Sequence, residues 1–126
     1  MIVIDASVLA TALGDDGQDG DAARERLIGQ ELVAPEVIDL EVASAWRRTL
    51  TDERRASLAL VDLAGLPMSR ASHLPLLPRC WELRHNLTPY DAAYVALAEA
   101  LDVPLLTADV RLAHAPGIRC VVDLLS

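Results

Sequence analysis

Short apolar runs alternate with longer stretches of helical character from one end of the chain to the other. That alternation argues for parallel strands joined by helical crossovers, with helices covering both faces of the sheet. The first run, Met1-Ile2-Val3-Ile4, is closed by Asp5, and its unbroken apolar character predicts a buried strand over residues 1–5. Ser7 is placed to cap a short helix that runs to residue 13. Gly14-Asp15-Asp16-Gly17 reads as a turn. A helix over 19–29 follows, then a strand over 32–34 that Pro35 stops. Residues 36–50 predict a helix, and residues 51–65 a second one whose Gly65 suits a C-cap. Residues 66–71 predict a weak edge strand, and Pro75 or Pro78 leads a helix to residue 86. Thr88-Pro89-Tyr90-Asp91 is the clearest start signal: Thr88 is a good N-cap, Pro89 fits the first helical position, and Asp91 resembles a shortened capping box. That helix continues to residue 101. A strand over 103–107, a short helix over 110–114 and a strand over 118–122 complete the order. The expected fold is α/β, a three-layer α/β/α domain around a central parallel sheet of about five strands, with residues 1–126 in a single domain.

The chain has 126 residues, of which 52% are hydrophobic but only 3% aromatic, with no Phe. Its core must therefore be built from Leu, Val, Ile and Ala. No apolar run approaches the ~18 residues of a membrane span, so no membrane role is expected. The N-terminal run has no basic segment before it and ends in an aspartate, unlike a signal peptide. Cys80 and Cys120 lie far apart and fit no metal-ligand spacing, which points to a reduced, cytoplasmic setting. The net charge is −8, and every basic residue is Arg. Such a surface repels nucleic-acid phosphates unless some of its acids are neutralised.

Four acids fall where the predicted chain turns over one edge of the sheet. Asp5 and Asp109 lie at or just past the carboxyl ends of two strands. Glu41 sits in the first two turns of a helix, on a face it shares with Ile38 and Ala45. Asp91 is in the first turn of another helix. Ligands of parallel sheets bind outside those carboxyl ends. If the four meet, their repulsion needs a cation, and an oxygen-only donor set suits Mg²⁺ or Mn²⁺. The chemistry indicated is metal-assisted attack on phosphate. Each acid also has a structural reading. Asp91 and Asp109 could be helix caps, and Glu41 could meet an Arg in a buried ion pair. Asp5 is harder to explain so, because burying an unpaired charge is costly. Asp39 points to the more polar side of its helix, and Asp123 reads as a solvated residue closing the last strand. The absence of Lys argues against receiver domains and against haloacid-dehalogenase-like phosphatases, which place a Lys near their aspartates.

Val3-Ile4-Asp5-Ala6-Ser7, Asp39-Leu40-Glu41-Val42, Thr88-Pro89-Tyr90-Asp91-Ala92-Ala93-Tyr94 and Leu106-Thr107-Ala108-Asp109-Val110-Arg111-Leu112 resemble the motifs of PIN-domain proteins. They look most like those of the VapC toxins of bacterial type II toxin–antitoxin systems. The resemblance spans the chain, and the acids stand in the family's order. It implies a Mg²⁺-dependent endoribonuclease, with Mn²⁺ as a substitute, that leaves a 5′-phosphate. Carried over by position, Asp5, Glu41, Asp91 and Asp109 are the acidic quartet. Asp5 and Asp91 would bind the principal metal directly, while Glu41 and Asp109 would act through water or complete a second site. Ser7 and Thr107 match polar positions that support the quartet. The family also implies an RNA substrate, a homodimer and a cognate VapB-like antitoxin that wraps the toxin. The alternative is a PIN-like module that binds RNA or protein with weak or no cleavage; the intact quartet favours the nuclease.

Other residues are less specific. Arg111, close to Asp109, is a candidate for contacting substrate or the quartet. Arg47, Arg48, Arg54 and Arg55 cluster at a helix junction, to hold phosphates or to form a solvated face paired with Asp52 and Glu53. His73, His85 and His114 share no ligand spacing. Trp46 and Leu50 either line an antitoxin groove with the helices over 19–29 and 53–64 or pack in the core.

Overall fold

The structure, a computed structural model, describes residues 1–125. Its strands are β1 (Ile2–Ile4), β2 (Leu32–Pro35), β3 (Met68–Ala71), β4 (Leu105–Thr107) and β5 (Val122–Leu124). All neighbours pair in parallel, in the order β3-β2-β1-β4-β5. The chain builds outward from β1 to β3, then returns past β1 to lay down β4 and β5. The order therefore reverses between β1 and β4, where Val3 pairs with Leu105 and Ile4 with Leu106. Parallel sheets of this kind bind ligands in the crevice beyond such a reversal.

The connections are α1 (Ala6–Gly14), α2 (Gln18–Leu27), α3 (Ile38–Thr49), α4 (Glu53–Gly65), a 3₁₀ turn (Leu74–Leu76), α5 (Leu77–Glu82), α6 (Pro89–Leu101) and α7 (Val110–Ala113). Helix α1 packs against α2, α3 and α4, whereas α6 packs against α5 and against β1, β2 and β4. Every residue from Ala92 to Ala98 is buried. Its alanines let α6 approach the sheet closely, which sets the start of the helix, and Asp91 with it, against the carboxyl ends of the strands. The core is aliphatic, as the composition requires, with Val3, Ile4, Val8, Leu9, Ile38 and Leu105 fully buried. Among the described residues no helix is long and apolar enough to cross a membrane.

The structure moves several predicted boundaries. Helix α1 starts at Ala6 with Asp5 in the N-cap position, so Ser7 is not its cap; the Ser7 hydroxyl is used elsewhere. Strand β2 includes Pro35 as its last residue, and the ladder continues from Glu36 N–H to Ala71 O. Helix α2 ends at Leu27, before Gly29, which adopts φ +74°. Gly65 closes α4 without entering the left-handed region, and Leu66 is the C-cap residue. The last strand lies at 122–124 instead of 118–122. The Arg119 N–H donates to Glu99 Oε2 on α6, so this segment is tied to a helix before pairing begins at the Val121 carbonyl. Asp123 consequently lies inside β5, opposite Leu106, and pairs with Arg26.

Gly20 shows how closely α2 is set: a Cβ there would lie 1.8 Å from the Asp15 carbonyl oxygen, whereas one at Gly65 meets open space. Gly20→Ala should destabilise the protein by about 1–3 kcal/mol. Gly65→Ala should be neutral or stabilising by up to about 1 kcal/mol. Chemical denaturation of the two variants checks the contrast, and equal midpoints would contradict it.

Candidate active site

Asp5 leaves β1 at its carboxyl end and is 6% exposed. Two hydroxyls converge on its Oδ2. Thr107, the last residue of β4 and fully buried, donates at 2.6 Å, and Ser7 from α1 donates at 2.9 Å. Each hydroxyl accepts in turn from the backbone after β4: Thr107 Oγ1 from Asp109 N–H at 3.0 Å, and Ser7 Oγ from Ala108 N–H at 3.2 Å. A hydroxyl has one donor hydrogen and two lone pairs, so each side chain links the carboxylate to that loop. Both residues predicted as supporting thus stand against Asp5.

Glu41 lies one turn into α3. Its Oε1 accepts from the Tyr94 hydroxyl at 2.7 Å, and Tyr94 is fully buried on α6. This bond replaces the Arg ion pair that was an alternative for Glu41. Tyr94 was given no role in the sequence reading. Its signal was its place three residues after Asp91, which puts both on one side of the helix. Asp91 stands in the first turn of α6, where Thr88 caps as predicted by accepting from Asp91 N–H at 3.2 Å. Asp109 caps α7, accepting from Arg111 N–H at 2.9 Å. The Arg111 guanidinium lies 3.8 Å from the Asp109 carboxylate with its side chain 95% exposed, an arrangement that binds weakly.

Electrostatics ties the four acids together. Burial pushes the Asp5 carboxyl up, its hydrogen bonds to Thr107, Ser7 and Ala6 oppose this, and Asp109 raises it further. Glu41 is raised by burial, lowered by Tyr94 and raised again by Asp5 and Asp91. Asp91 is raised by burial and by Asp5 and Asp109, against smaller opposing effects of Thr88 and Arg111. Burial and the Glu41 hydrogen bond push the Tyr94 phenol far up, so it stays a donor.

Among the described residues no basic side chain lies within ion-pair distance of Asp5, Glu41 or Asp91. Only the exposed Arg111 relieves the repulsion, and only in part; an all-carboxylate set of this kind suits a hard divalent ion. Among the described residues, no three such side chains close around a single point tightly enough to enclose a metal. Mg²⁺ commonly keeps several waters and needs only one or two carboxylates, so the donor set still fits it.

Several of the remaining acids and bases are engaged elsewhere. Asp39 pairs with Arg70 at 2.7 Å, and Arg55 with Asp16 at 2.9 Å instead of with Asp52 or Glu53. Arg47, Arg48 and Arg54 are exposed. Trp46 belongs to the core: it is 5% exposed, its indole N–H donates to Ala10 O, and it packs against Gly14. His73 meets Glu36, and His114 Nδ1 meets the Val110 carbonyl.

The family profile described as PIN domain matches residues 2–118. Ribonuclease VapC1 of Mycobacterium tuberculosis is 46% identical, over 97% of this chain and 96% of its own length. Among solved structures, the sarcin–ricin-loop-cleaving toxin VapC20 of M. tuberculosis superposes with a TM-score of 0.72 at 16% identity, over 96% of this chain and 98% of that one. VapBC2 of Rickettsia felis, bound to a DNA fragment from its promoter, gives 0.71 at 13% identity over the whole of both chains.

Two outcomes follow from this geometry. Thr107→Val keeps the shape but removes a donor from a buried carboxylate, and should destabilise the protein by about 1–3 kcal/mol; an unchanged denaturation midpoint would contradict the assignment. The Asp91 carboxyl is raised in the folded state, so its contribution is present below its ordinary value of 3.8 and is lost as pH rises through the folded value. Asp91→Asn should therefore melt above the unmodified protein in chelator, with a gap that widens from about pH 4 to about pH 7. A gap that narrows over that range would reverse the sign and sink the argument.

Proposed function

This chain belongs to the PIN-domain family, and on that premise we propose that it is a metal-dependent endoribonuclease, the toxin of a VapBC-type pair. One observation carries the reading. A buried carboxylate at the topological reversal, oriented by two hydroxyls, lies in the field of further acids and has no protein cation of its own. The 46% identity to Ribonuclease VapC1 over nearly the whole of both chains supports the same conclusion.

In this reading Asp5 and Asp91 would hold a divalent cation, Mg²⁺ with Mn²⁺ as a substitute, while Glu41 and Asp109 would complete its surroundings through water. Bound there, the ion supplies positive charge that activates water and offsets the charge developing on the phosphate. The chain's own residues position. Ser7 and Thr107 fix the Asp5 carboxylate in one orientation, and Tyr94 does the same for Glu41. Thr88 and the first turn of α6 place Asp91 on the same edge. Arg111, exposed beside Asp109, is available to a substrate phosphate. The water oxygen bonds to phosphorus, the bond to the 3′ oxygen breaks, and the proton passes to that oxygen. The products carry a 5′-phosphate and a 3′-hydroxyl.

The proposed partners are an RNA substrate, a second copy of the chain and a VapB-like antitoxin. A basic antitoxin segment complements a toxin of net charge −8. The cytoplasm is the proposed location, in keeping with the free thiols of Cys80 and Cys120.

Asp5→Asn should lower the rate of RNA cleavage by about two orders of magnitude or more, and EDTA should abolish it. Asp123→Asn, an acid outside the site and paired with Arg26, should leave the rate unchanged. Gel-resolved cleavage of total cellular RNA reads all three. Equal cleavage by Asp5→Asn and unmodified protein would reject the site, and cleavage undiminished by EDTA would reject the metal.

A further inference from the structure

Two adjoining hollows, of about 230 and 450 Å³, share Leu77, Cys80 and Pro89 and form one groove between α5 and the start of α6. Its inner end is lined by Val37, which precedes α3, and by Tyr90, the residue before Asp91. It therefore opens next to the helix starts that carry Glu41 and Asp91. Its outer end is walled by Trp81. Trp81 is 65% exposed and Tyr90 is 60% exposed, in a chain that has only two Trp and two Tyr. The other Trp is buried, and the other Tyr is fully buried against Glu41. Half of this protein's aromatic side chains thus stand in solvent along one groove.

The stretch of chain around this groove is poor in acids. Between Asp62 and Asp91 the only acid is Glu82, against Arg70, Arg79 and Arg84. Arg79 holds Glu82. Among the described residues, Arg84 has no carboxylate within ion-pair distance. Its guanidinium instead lies over the Trp81 ring, 4.5 Å from the centroid, with Nη1 donating to the Trp81 carbonyl at 2.9 Å and its other N–H groups left for a ligand. An exposed aromatic ring topped by an unneutralised guanidinium offers a stacking plane and phosphate donors together, the combination that holds unpaired bases.

We propose that the Trp81–Arg84 pair and the groove leading from it to Tyr90 bind a base of single-stranded RNA and so position the strand across the acidic edge. The proposal rests on the ribonuclease reading for its purpose. Continuity of the groove with the acidic edge and the unpaired Arg84 guanidinium favour RNA as its occupant. A base seated here lies to one side of the scissile bond, so the groove selects accessible, unpaired RNA.

The test separates binding from cleavage. Trp81 emission is followed on mixing with a short mixed-sequence single-stranded oligoribonucleotide, before product accumulates. The expected result is quenching by that strand, none by the same strand annealed to its complement or by tripolyphosphate, and loss of the signal in Trp81→Phe. In steady state, Trp81→Ala should raise KM roughly tenfold with kcat little changed. Trp81→Phe should restore most of the loss and Trp81→Leu should not, because leucine supplies apolar area without a stacking face. If Trp81→Ala does not fold, Arg84→Gln carries the test through a weaker salt dependence of KM. Quenching by tripolyphosphate equal to that by RNA, rescue by Leu, or emission that shifts with protein concentration alone would each overturn the proposal, the last because a second copy then covers the ring. Quenching without any cleavage would leave the base site standing and reject the nuclease; cleavage unaffected by Trp81→Ala would do the reverse.

Discussion

The Asp5 carboxylate and its two hydroxyl donors hold the functional edge together. A carboxylate buried to this degree is tolerated only where hydrogen bonds replace its water. Thr107 and Ser7 supply them from different elements, one at the end of β4 and one in α1. The same hydroxyls accept from the backbone of the loop that carries Asp109. One polar cluster therefore joins β1, α1 and β4 where the strand order reverses, and fixes the distance between the first and last acids of the quartet.

The acids are brought together at a cost to the fold. Asp5, Glu41 and Asp91 all sit above their ordinary pKa because of burial, and repulsion by a neighbouring acid adds to each. Helix starts soften this. Asp91 and Glu41 lie near the positive ends of α6 and α3, where negative charge is favoured. What remains is an excess of negative potential that a hard cation would relieve. Much of the rest of the chain's acidity is spread over the surface in pairs such as Asp16 with Arg55 and Asp39 with Arg70. Arg84, which lies over the Trp81 ring, is instead without a carboxylate partner among the described residues.

Legibility in the sequence followed the range of the interactions involved. The apolar run before Asp5, and Thr88-Pro89 before Asp91, are local signals, and the elements they announce formed where expected. The edge strand at 68–71 was readable for the same reason. The last strand was misplaced because its position is set by Glu99, twenty residues from Arg119 in the chain, which draws the segment before it onto α6. Ser7 was taken for a cap because a serine after a strand commonly is one. Its hydroxyl goes instead to Asp5 and to a backbone N–H about a hundred residues away, which no local rule registers.

The apolar periodicity and the order of the acids are properties of the chain alone. They were enough for a parallel α/β sheet with Asp5, Glu41, Asp91 and Asp109 at its carboxyl edge, because strand ends and helix starts follow from local pattern. The partners of those acids are properties of the fold. Tyr94 meets Glu41 across 53 residues and Thr107 meets Asp5 across 102, and Trp46 became core while Trp81 was left in solvent. These contacts depend on how crossover helices settle on the sheet. A side chain's neighbours in space are set by that packing, and nothing in its neighbours along the chain encodes them.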